Sequence, residues 1–324
     1  MGRDHERGRG DRPGGRDHAR HPRPGGRVIL RDRLFGARPQ PVTMPVPVIA
    51  VASLTRGGTG KTPMAIALAQ RLRDARRTVS VVMRGPGAPL KVDERRHGTA
   101  DVGDEALLSA AFGATWVGAD LPATARAACG DGAEVLIVEE DGMTAIAPDL
   151  RLLVEDAVSG FGNGRRWPLG PLHEPLSKGL ARADALITPG PTSAQERFSP
   201  TPIPRFPARL APLQTGMNWS GLRVLAFAGI SRPERFFATL HDLGAELVRT
   251  QALTDHQEMT STLLTRLDRE AAMARAQLVT TEKDAVRLPA RFRPKVLVLP
   301  VRLELADWAP LDRLIAERIG PASA

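Results

Sequence analysis

The sequence predicts an α/β protein with parallel sheets covered by helices on both faces. Three observations lead there. An apolar run, Val46-Pro47-Val48-Ile49-Ala50-Val51-Ala52-Ser53-Leu54, passes through a glycine-rich turn into a helical stretch, Met64 to Leu72. Short β-branched runs then alternate with helical patterns, as in sheets whose strands are joined by crossover helices. The alternation breaks once, across residues 189–216, which are rich in Pro, Ser and Thr, and then resumes, so a second and smaller α/β unit follows a linker.

The turn is Arg56-Gly57-Gly58-Thr59-Gly60-Lys61-Thr62-Pro63. Strand, glycine-rich turn, Gly-Lys-Thr and helix together make the P-loop arrangement, so the first unit is predicted to be a P-loop NTPase-type α/β/α sandwich. Gly57, Gly58, Thr59 and Gly60 let successive backbone N–H groups curl around phosphate oxygens, and the helix N-terminus adds its positive dipole. Lys61 reaches the β- and γ-phosphates, and Thr62 holds Mg²⁺ through its hydroxyl. Pro63 fits the first helical turn, where its missing N–H is not needed. The strict pattern asks for glycine where this chain has Thr55.

The remaining elements follow in order. Thr78 to Met83 is a strand, ended by Gly85-Pro86-Gly87, and Asp104 to Ala111 is a helix with acidic residues in its first turn. Strands are expected at Trp116-Val117, Val135–Val138, Leu150–Val154 and Ala183–Ile187, with an Ala-rich helical stretch before the second of these. The second unit reads as strand Leu222–Phe227, helix Pro233–Leu243, strand Glu246–Val248, helix Thr260–Ala274, strands Gln277–Thr280 and Val296–Leu299, and helix Asp307–Ile319. The expected division is a basic, disordered leader at 1–27, a nucleotide-binding domain at 28–205, a linker at 206–220 and a smaller α/β domain at 221–324.

Composition narrows the function classes. The chain has 324 residues, 42% of them hydrophobic, enough for a sizeable core, and its single cysteine, Cys129, excludes an internal disulfide framework. No run of 18 or more apolar residues exists, so no transmembrane helix is expected. The net charge is +9, and residues 1–27 contribute eight arginines against four acids, hence +4 of it. That segment has seven glycines and no aliphatic residue larger than alanine, so it cannot bury a core, and it lacks the apolar region of a secretory signal. It is either an unselected leader or a polyanion-binding arm. The remaining positive excess suits a negatively charged substrate or a membrane surface.

Other polar clusters each admit two readings. Val138-Glu139-Glu140-Asp141-Gly142 puts carboxylates at the C-terminal end of a buried strand, where ligands of open α/β sheets bind. Asp141, with Glu140 beside it, is the candidate Walker-B-type Mg²⁺ ligand; the alternative is a solvated strand end closed by an Asp-Gly turn. Gly103-Asp104-Glu105 and Asp255-His256 are helix caps or polar loops on one reading. On the other, a His–Asp pair deprotonates a hydroxyl, although spacing alone does not bring the two together. Residues 160–175, dense in turn formers and carrying Arg165 and Arg166, make a surface loop or a functional one. Thr280-Thr281-Glu282-Lys283-Asp284 carries a capping-box pattern.

Taken in order, these segments resemble the tetraacyldisaccharide 4′-kinase family, the lipid A 4′-kinases of Gram-negative bacteria. The resemblance runs from about residue 28 to about residue 300. It rests on Pro47-Val48-Ile49 leading into Gly57–Pro63, Val102–Glu105, Gly160–Gly164, Pro168–Pro175, Ala226–Ile230 with Arg232–Phe237, Asp255-His256 and Thr280–Asp284. It implies transfer of the ATP γ-phosphoryl group, with Mg²⁺, to the 4′-hydroxyl of a tetraacylated disaccharide 1-phosphate. It also implies peripheral attachment to the cytoplasmic face of the inner membrane, and no nucleic-acid partner is expected. By the same resemblance Asp104 activates the acceptor hydroxyl, His256 pairs with it from the second domain, and Lys61 with Mg²⁺ on Thr62, Asp141 and Glu140 neutralises the transferring group.

The chain departs from the family at Ala52-Ser53, where Gly-Asn is usual, at Pro86 in place of tyrosine, at Glu140 to Ala145, and at His173 in place of arginine. The apolar N-terminal helix of the family is reduced to Val28–Gly36. Two other readings stay open: a nucleotide-dependent switch ATPase, since Arg56–Thr62 also resembles a deviant P-loop, and a paralogue that binds without catalysis.

Overall fold

A computed structural model describes residues 40–141, 145–255 and 257–321. The expected leader at 1–27 and the short apolar stretch at Val28–Gly36 lie outside those residues. In chain order the elements are β1 (Val48–Ser53), α1 (Lys61–Asp74), β2 (Val79–Arg84), β3 (Leu90–Lys91), α2 (Thr99–Val102), α3 (Asp104–Ala110), β4 (Thr115–Gly118), α4 (Leu121–Gly130), β5 (Val135–Asp141) and β6 (Leu150–Val154). They continue with α5 (Leu176–Leu180), β7 (Ala185–Pro189), α6 (Thr192–Arg197), β8 (Arg205–Pro212), β9 (Arg223–Ala228), α7 (Pro233–Asp242), β10 (Glu246–Ala252) and α8 (Ser261–Met273). The last are β11 (Gln277–Thr281), α9 (Glu282–Ala285), β12 (Val296–Leu299), β13 (Val301–Leu305) and α10 (Ala309–Ile319).

Two sheets result. The larger has nine strands in the order β13-β8-β7-β6-β1-β5-β2-β4-β3, and the smaller has four in the order β10-β9-β11-β12. In the larger sheet only the pairs β8–β13 and β3–β4 are antiparallel; every pair of the smaller sheet is parallel. β1 lies centrally and all six of its residues are buried, as a strand covered on both faces must be. On one face Ile49 and Val51 share a core with Met64 and Leu68 of α1, Leu107 of α3 and Leu311 and Ile315 of α10. On the other, Val82, Leu136 and Val138 pack against Leu121, Ala125 and Ala128 of α4.

The chain leaves the large sheet after β8, builds the small sheet and comes back. The segment 206–220, expected to be linker, begins as part of β8, paired in parallel with β7. Helix Asp307–Ile319, read from sequence as the end of the second unit, packs as α10 on the large sheet, and the unforeseen strand β13 returns the chain to its edge. The alternating apolar residues Leu303 and Leu305 bury themselves in the large sheet's core, so pairing with β8 satisfies both the backbone and that face. The outgoing and returning segments touch where Leu213 N–H donates to Pro300 C=O (2.9 Å). No helix among the described residues is long and apolar enough to cross a membrane.

Candidate active site

β1 delivers the glycine-rich turn to the C-terminal edge of the large sheet. Gly57 and Gly60 have φ of 99° and 100°, a backbone region that side-chain-bearing residues avoid. A Cβ on Gly60 would also lie 3.1 Å from Pro189 Cγ, so the loop needs glycine there for space as well as for conformation. Thr59 N–H closes back on Gly57 C=O (2.8 Å), and Lys61 and Thr62 open α1.

The end of β1 is held from several sides. Ser53 is buried and its Oγ donates to Thr55 C=O (2.7 Å). Glu155, fully buried one residue past β6, accepts from Leu54 N–H, from Thr55 N–H (3.2 Å) and from Thr55 Oγ1. Burial pushes the Glu155 carboxyl up to about 7, although these hydrogen bonds and the Lys61 charge oppose the rise. The loop 160–175 runs along the same turn. Arg56 N–H donates to Pro171 C=O (3.2 Å), His173 N–H to Leu54 C=O (2.8 Å), and the Arg56 guanidinium stacks over the Trp167 ring at 4.7 Å. The functional reading of that loop thus gains a position beside the phosphate-binding turn.

At the end of β5, Glu139 accepts from Thr62 Oγ1 (2.8 Å). Glu140, expected beside the metal, instead forms a buried ion pair with Arg151 Nη1 (2.6 Å). Successive strand residues face opposite sides, so adjacent carboxylates cannot both reach Thr62. Asp141 ends β5 in register with Ser53. Thr62 and Glu139 supply oxygen donors, the ligand type suited to hard divalent cations. Among the described residues no group of three or more His, Cys, Asp or Glu side chains is arranged to hold a metal by itself.

The second carboxylate cluster begins at the N-terminus of α3. Asp104 is buried, and Lys283 of α9, carried by the small sheet, stands 3.9 Å from Asp104 Oδ2, 2.8 Å from Glu105 Oε1 and 3.8 Å from Asp255 Oδ1. Arg287 Nε lies 3.9 Å from the same Asp104 oxygen. Burial alone would raise the Glu105 carboxyl, but the hydrogen bond with Asp104 and the ammonium of Lys283 hold it well below its ordinary range. Lys283 in turn stays above its ordinary value despite burial, because three carboxylates surround it. Asp255 therefore comes to the Asp104 cluster, which spacing could not decide. His256 lies outside the described residues.

One polar chain links the two clusters. Gly58 N–H donates to Ser231 Oγ (3.3 Å), Ser231 Oγ donates to Asp255 Oδ2 (2.7 Å), and Asp255 faces Lys283. A second bridge between the sheets joins Asp156, just past β6, to Arg232 (2.8 Å) and Arg235 of the small-sheet side. Thr281 caps α9 as expected, accepting from Asp284 N–H (3.1 Å), while the buried Asp284 carboxylate accepts from Gly229 N–H (3.0 Å) and Arg287, fixing the segment that carries Lys283.

Residues 27–320 match the LpxK family, tetraacyldisaccharide-1-P 4′-kinase. The chain belongs to this family. It is 52% identical over 289 residues to the tetraacyldisaccharide 4′-kinase of Jannaschia sp. (strain CCS1), covering 86% of this chain and 88% of that one. It is 52% identical over 293 residues to the enzyme of the same name from Dinoroseobacter shibae, covering 86% and 87%. Its fold matches a crystal structure of LpxK from Aquifex aeolicus in complex with ATP, with a TM-score of 0.70 at 25% identity, over 90% of this chain and 94% of that one. As a member of a kinase family this chain is a transferase of the P-loop kinase fold.

Sequence reasoning about this family member singled out Lys61, Thr62, Asp104 and the Asp255 segment. It missed Glu139 as the partner of Thr62, Glu155, Asp156 and Lys283. Nothing local separates Glu139 from Glu140, because the apolar run before them is buried on both faces; Glu155 had no local signal either, since its partners lie 100 and 101 residues away.

Proposed function

We propose that this protein transfers the γ-phosphoryl group of ATP to the 4′-hydroxyl of a tetraacyldisaccharide 1-phosphate, attached peripherally to the cytoplasmic face of the inner membrane. The observation that carries this reading is the continuous polar path from Gly58 in the phosphate-binding turn, through Ser231, Asp255 and Lys283, to Asp104 and Glu105. A phosphate donor and a hydroxyl acceptor need such a juxtaposition of an anion cradle and a carboxylate base.

The backbone N–H groups of Gly57 to Gly60, Lys61 and the start of α1 receive the nucleotide phosphates. Thr62 and Glu139, with Asp141 at the end of the same strand, would hold Mg²⁺ together with the nucleotide, and the ion would supply charge neutralisation for the transferring group. The acceptor oxygen attacks the γ-phosphorus, the bond from that phosphorus to the bridging oxygen breaks, and ADP leaves. Asp104 takes the hydroxyl proton, in the role that the family resemblance gives it together with His256. Lys283 and Arg287 hold the carboxylates in place, and the small sheet that carries them covers the reacting groups against water. Exposed Trp167 and Leu169, flanked by Arg165 and Arg166, support contact with an anionic lipid surface.

The test is Asp104→Ala. Phosphorylation of the disaccharide should vanish while ATP binding is retained; measurable turnover in that variant would sink the assignment of the base.

A further inference from the structure

Thr55 stands where the strict P-loop pattern asks for glycine, and the structure shows what its side chain does. The β1–β6 ladder ends at Ala52 and Leu153. Beyond it the backbones diverge so that β1 can turn into the phosphate-binding loop, and the amides of Leu54 and Thr55 lose their strand partners. The Glu155 carboxylate replaces them, receiving both amides and the Thr55 hydroxyl while no part of the residue reaches water. An ionised carboxyl in that position is costly unless every lone pair is used, so its presence needs a reason. Ser53 ties down the same peptide from the other side, through Thr55 C=O.

We propose that Glu155 is a positioning residue for nucleotide binding: through Leu54 and Thr55 it fixes where the phosphate-binding loop begins, and its charge is coupled to that of Lys61 and thereby to the bound phosphates. The proposal rests on the reading of residues 56–62 as a nucleotide site. It does not involve the acceptor, because none of the residues Glu155 holds belongs to the Asp104 cluster.

The coupling has a definite sign. The Lys61 cation lowers the Glu155 carboxyl, which burial otherwise raises, and the balance stands at about 7. Phosphates drawn to Lys61 cancel that cation's field, so the carboxyl rises further in the complex. The bound state then holds more protons on Glu155 than the free state does. ATP affinity therefore falls as pH rises through about 7 and levels off above the value in the complex. Other titratable groups near this position include Asp156, itself neutralised by Arg232 and Arg235, and His173, whose backbone N–H binds Leu54 C=O. Neither is altered in the comparison below.

The experiment is calorimetric titration of the full chain with ATP, Mg²⁺ in excess so that the nucleotide's own ionisation is displaced, at a series of pH values on either side of neutrality. Steady-state KM for ATP and for the lipid acceptor, and the thermal midpoint, are measured alongside. Glu155→Gln keeps the side-chain shape but not the charge. Its ATP affinity should lose the wild-type pH slope and stay at or above the wild-type value at neutral pH, while Glu155→Ala, which removes the acceptor of both amides, should weaken ATP binding about tenfold, the scale of a hydrogen bond to a charged group, with the acceptor KM unchanged in both. Thr55→Val should weaken ATP binding several-fold, and Thr55→Ser, which restores the hydroxyl, should recover it; these carry the test if Glu155→Gln does not fold. A wild-type pH slope in Glu155→Gln, wild-type ATP affinity in Glu155→Ala, or equal losses for ATP and acceptor, would overturn the proposal. A wild type that binds no ATP would overturn the nucleotide reading itself, and the proposal with it.

Discussion

Asp156 ties the two sheets together through Arg232 and Arg235, and its removal has a calculable cost. The residue is 3% exposed and its carboxylate caps the turn after β6, accepting from Val158 N–H (3.0 Å), Ser159 N–H (2.9 Å) and Ser159 Oγ (3.0 Å). From the small-sheet side it receives Arg232 (2.8 Å) and Arg235, whose side chains are 29% and 36% exposed. Breaking a fully buried pair by removing one partner costs about 3–5 kcal/mol. Here the stranded arginines can turn to water, which lowers the figure, while a hydrogen bond to a charged group retains about 1.5–3 kcal/mol. Asp156→Asn, which can still cap the turn, should therefore cost about 2 kcal/mol.

The assay is urea denaturation followed by tryptophan fluorescence, in a double-mutant cycle with Arg235→Ala. The Asp156–Arg235 coupling should reach about 1 kcal/mol or more. Burial would raise the Asp156 carboxyl, but Arg235, Ser159 and Arg232 hold it below its usual range. Its stabilisation is therefore present above the ordinary carboxylate value and lost as pH falls through the lower folded value. A cycle energy near zero, or a coupling that persists in strong acid, would refute the reasoning.

Two further substitutions separate roles that look alike in the sequence. Glu139→Gln should lower kcat about 100-fold and raise the Mg²⁺ concentration needed for half activity, as for removal of a group acting on the phosphoryl transfer. Glu140→Gln should leave the Mg²⁺ requirement unchanged and lower stability by about 3–5 kcal/mol, because it strands Arg151 in a buried site; initial rates against Mg²⁺ and urea midpoints read both. Lys283→Met keeps the length and apolar stem but leaves Asp104, Glu105 and Asp255 without their shared cation. It should reduce kcat at least tenfold with little change in ATP affinity, and an unchanged kcat would remove Lys283 from the site.

What the sequence made legible was local. The Gly57–Thr62 turn was readable because strand, glycines, Lys-Thr and helix are contiguous, and the helix starting at Asp104 because its acidic first turn is adjacent in the chain. Glu139 was not picked out as the partner of Thr62 because a strand's phase is invisible in a run apolar on both faces, and a slip of one residue exchanges the two sides of the sheet. The return of β13 and α10 to the large sheet was illegible because an edge strand's choice of partner depends on contacts distant in sequence. Glu155 escaped for the same reason, and only the structure showed that Thr55 needs it. Lys283 read as part of a helix cap, which it is, while its function comes from what the packing of the two sheets brings opposite.

The most direct measurement is mass spectrometry of the lipid after the purified protein is incubated with ATP, Mg²⁺ and the tetraacyldisaccharide 1-phosphate, with fragmentation to locate the added group. The wild type should add the mass of one phosphate at the 4′ position, and Asp104→Ala should not. ATP binding without any phosphate gain by the wild type, or a phosphate at another position, would contradict the proposed reaction.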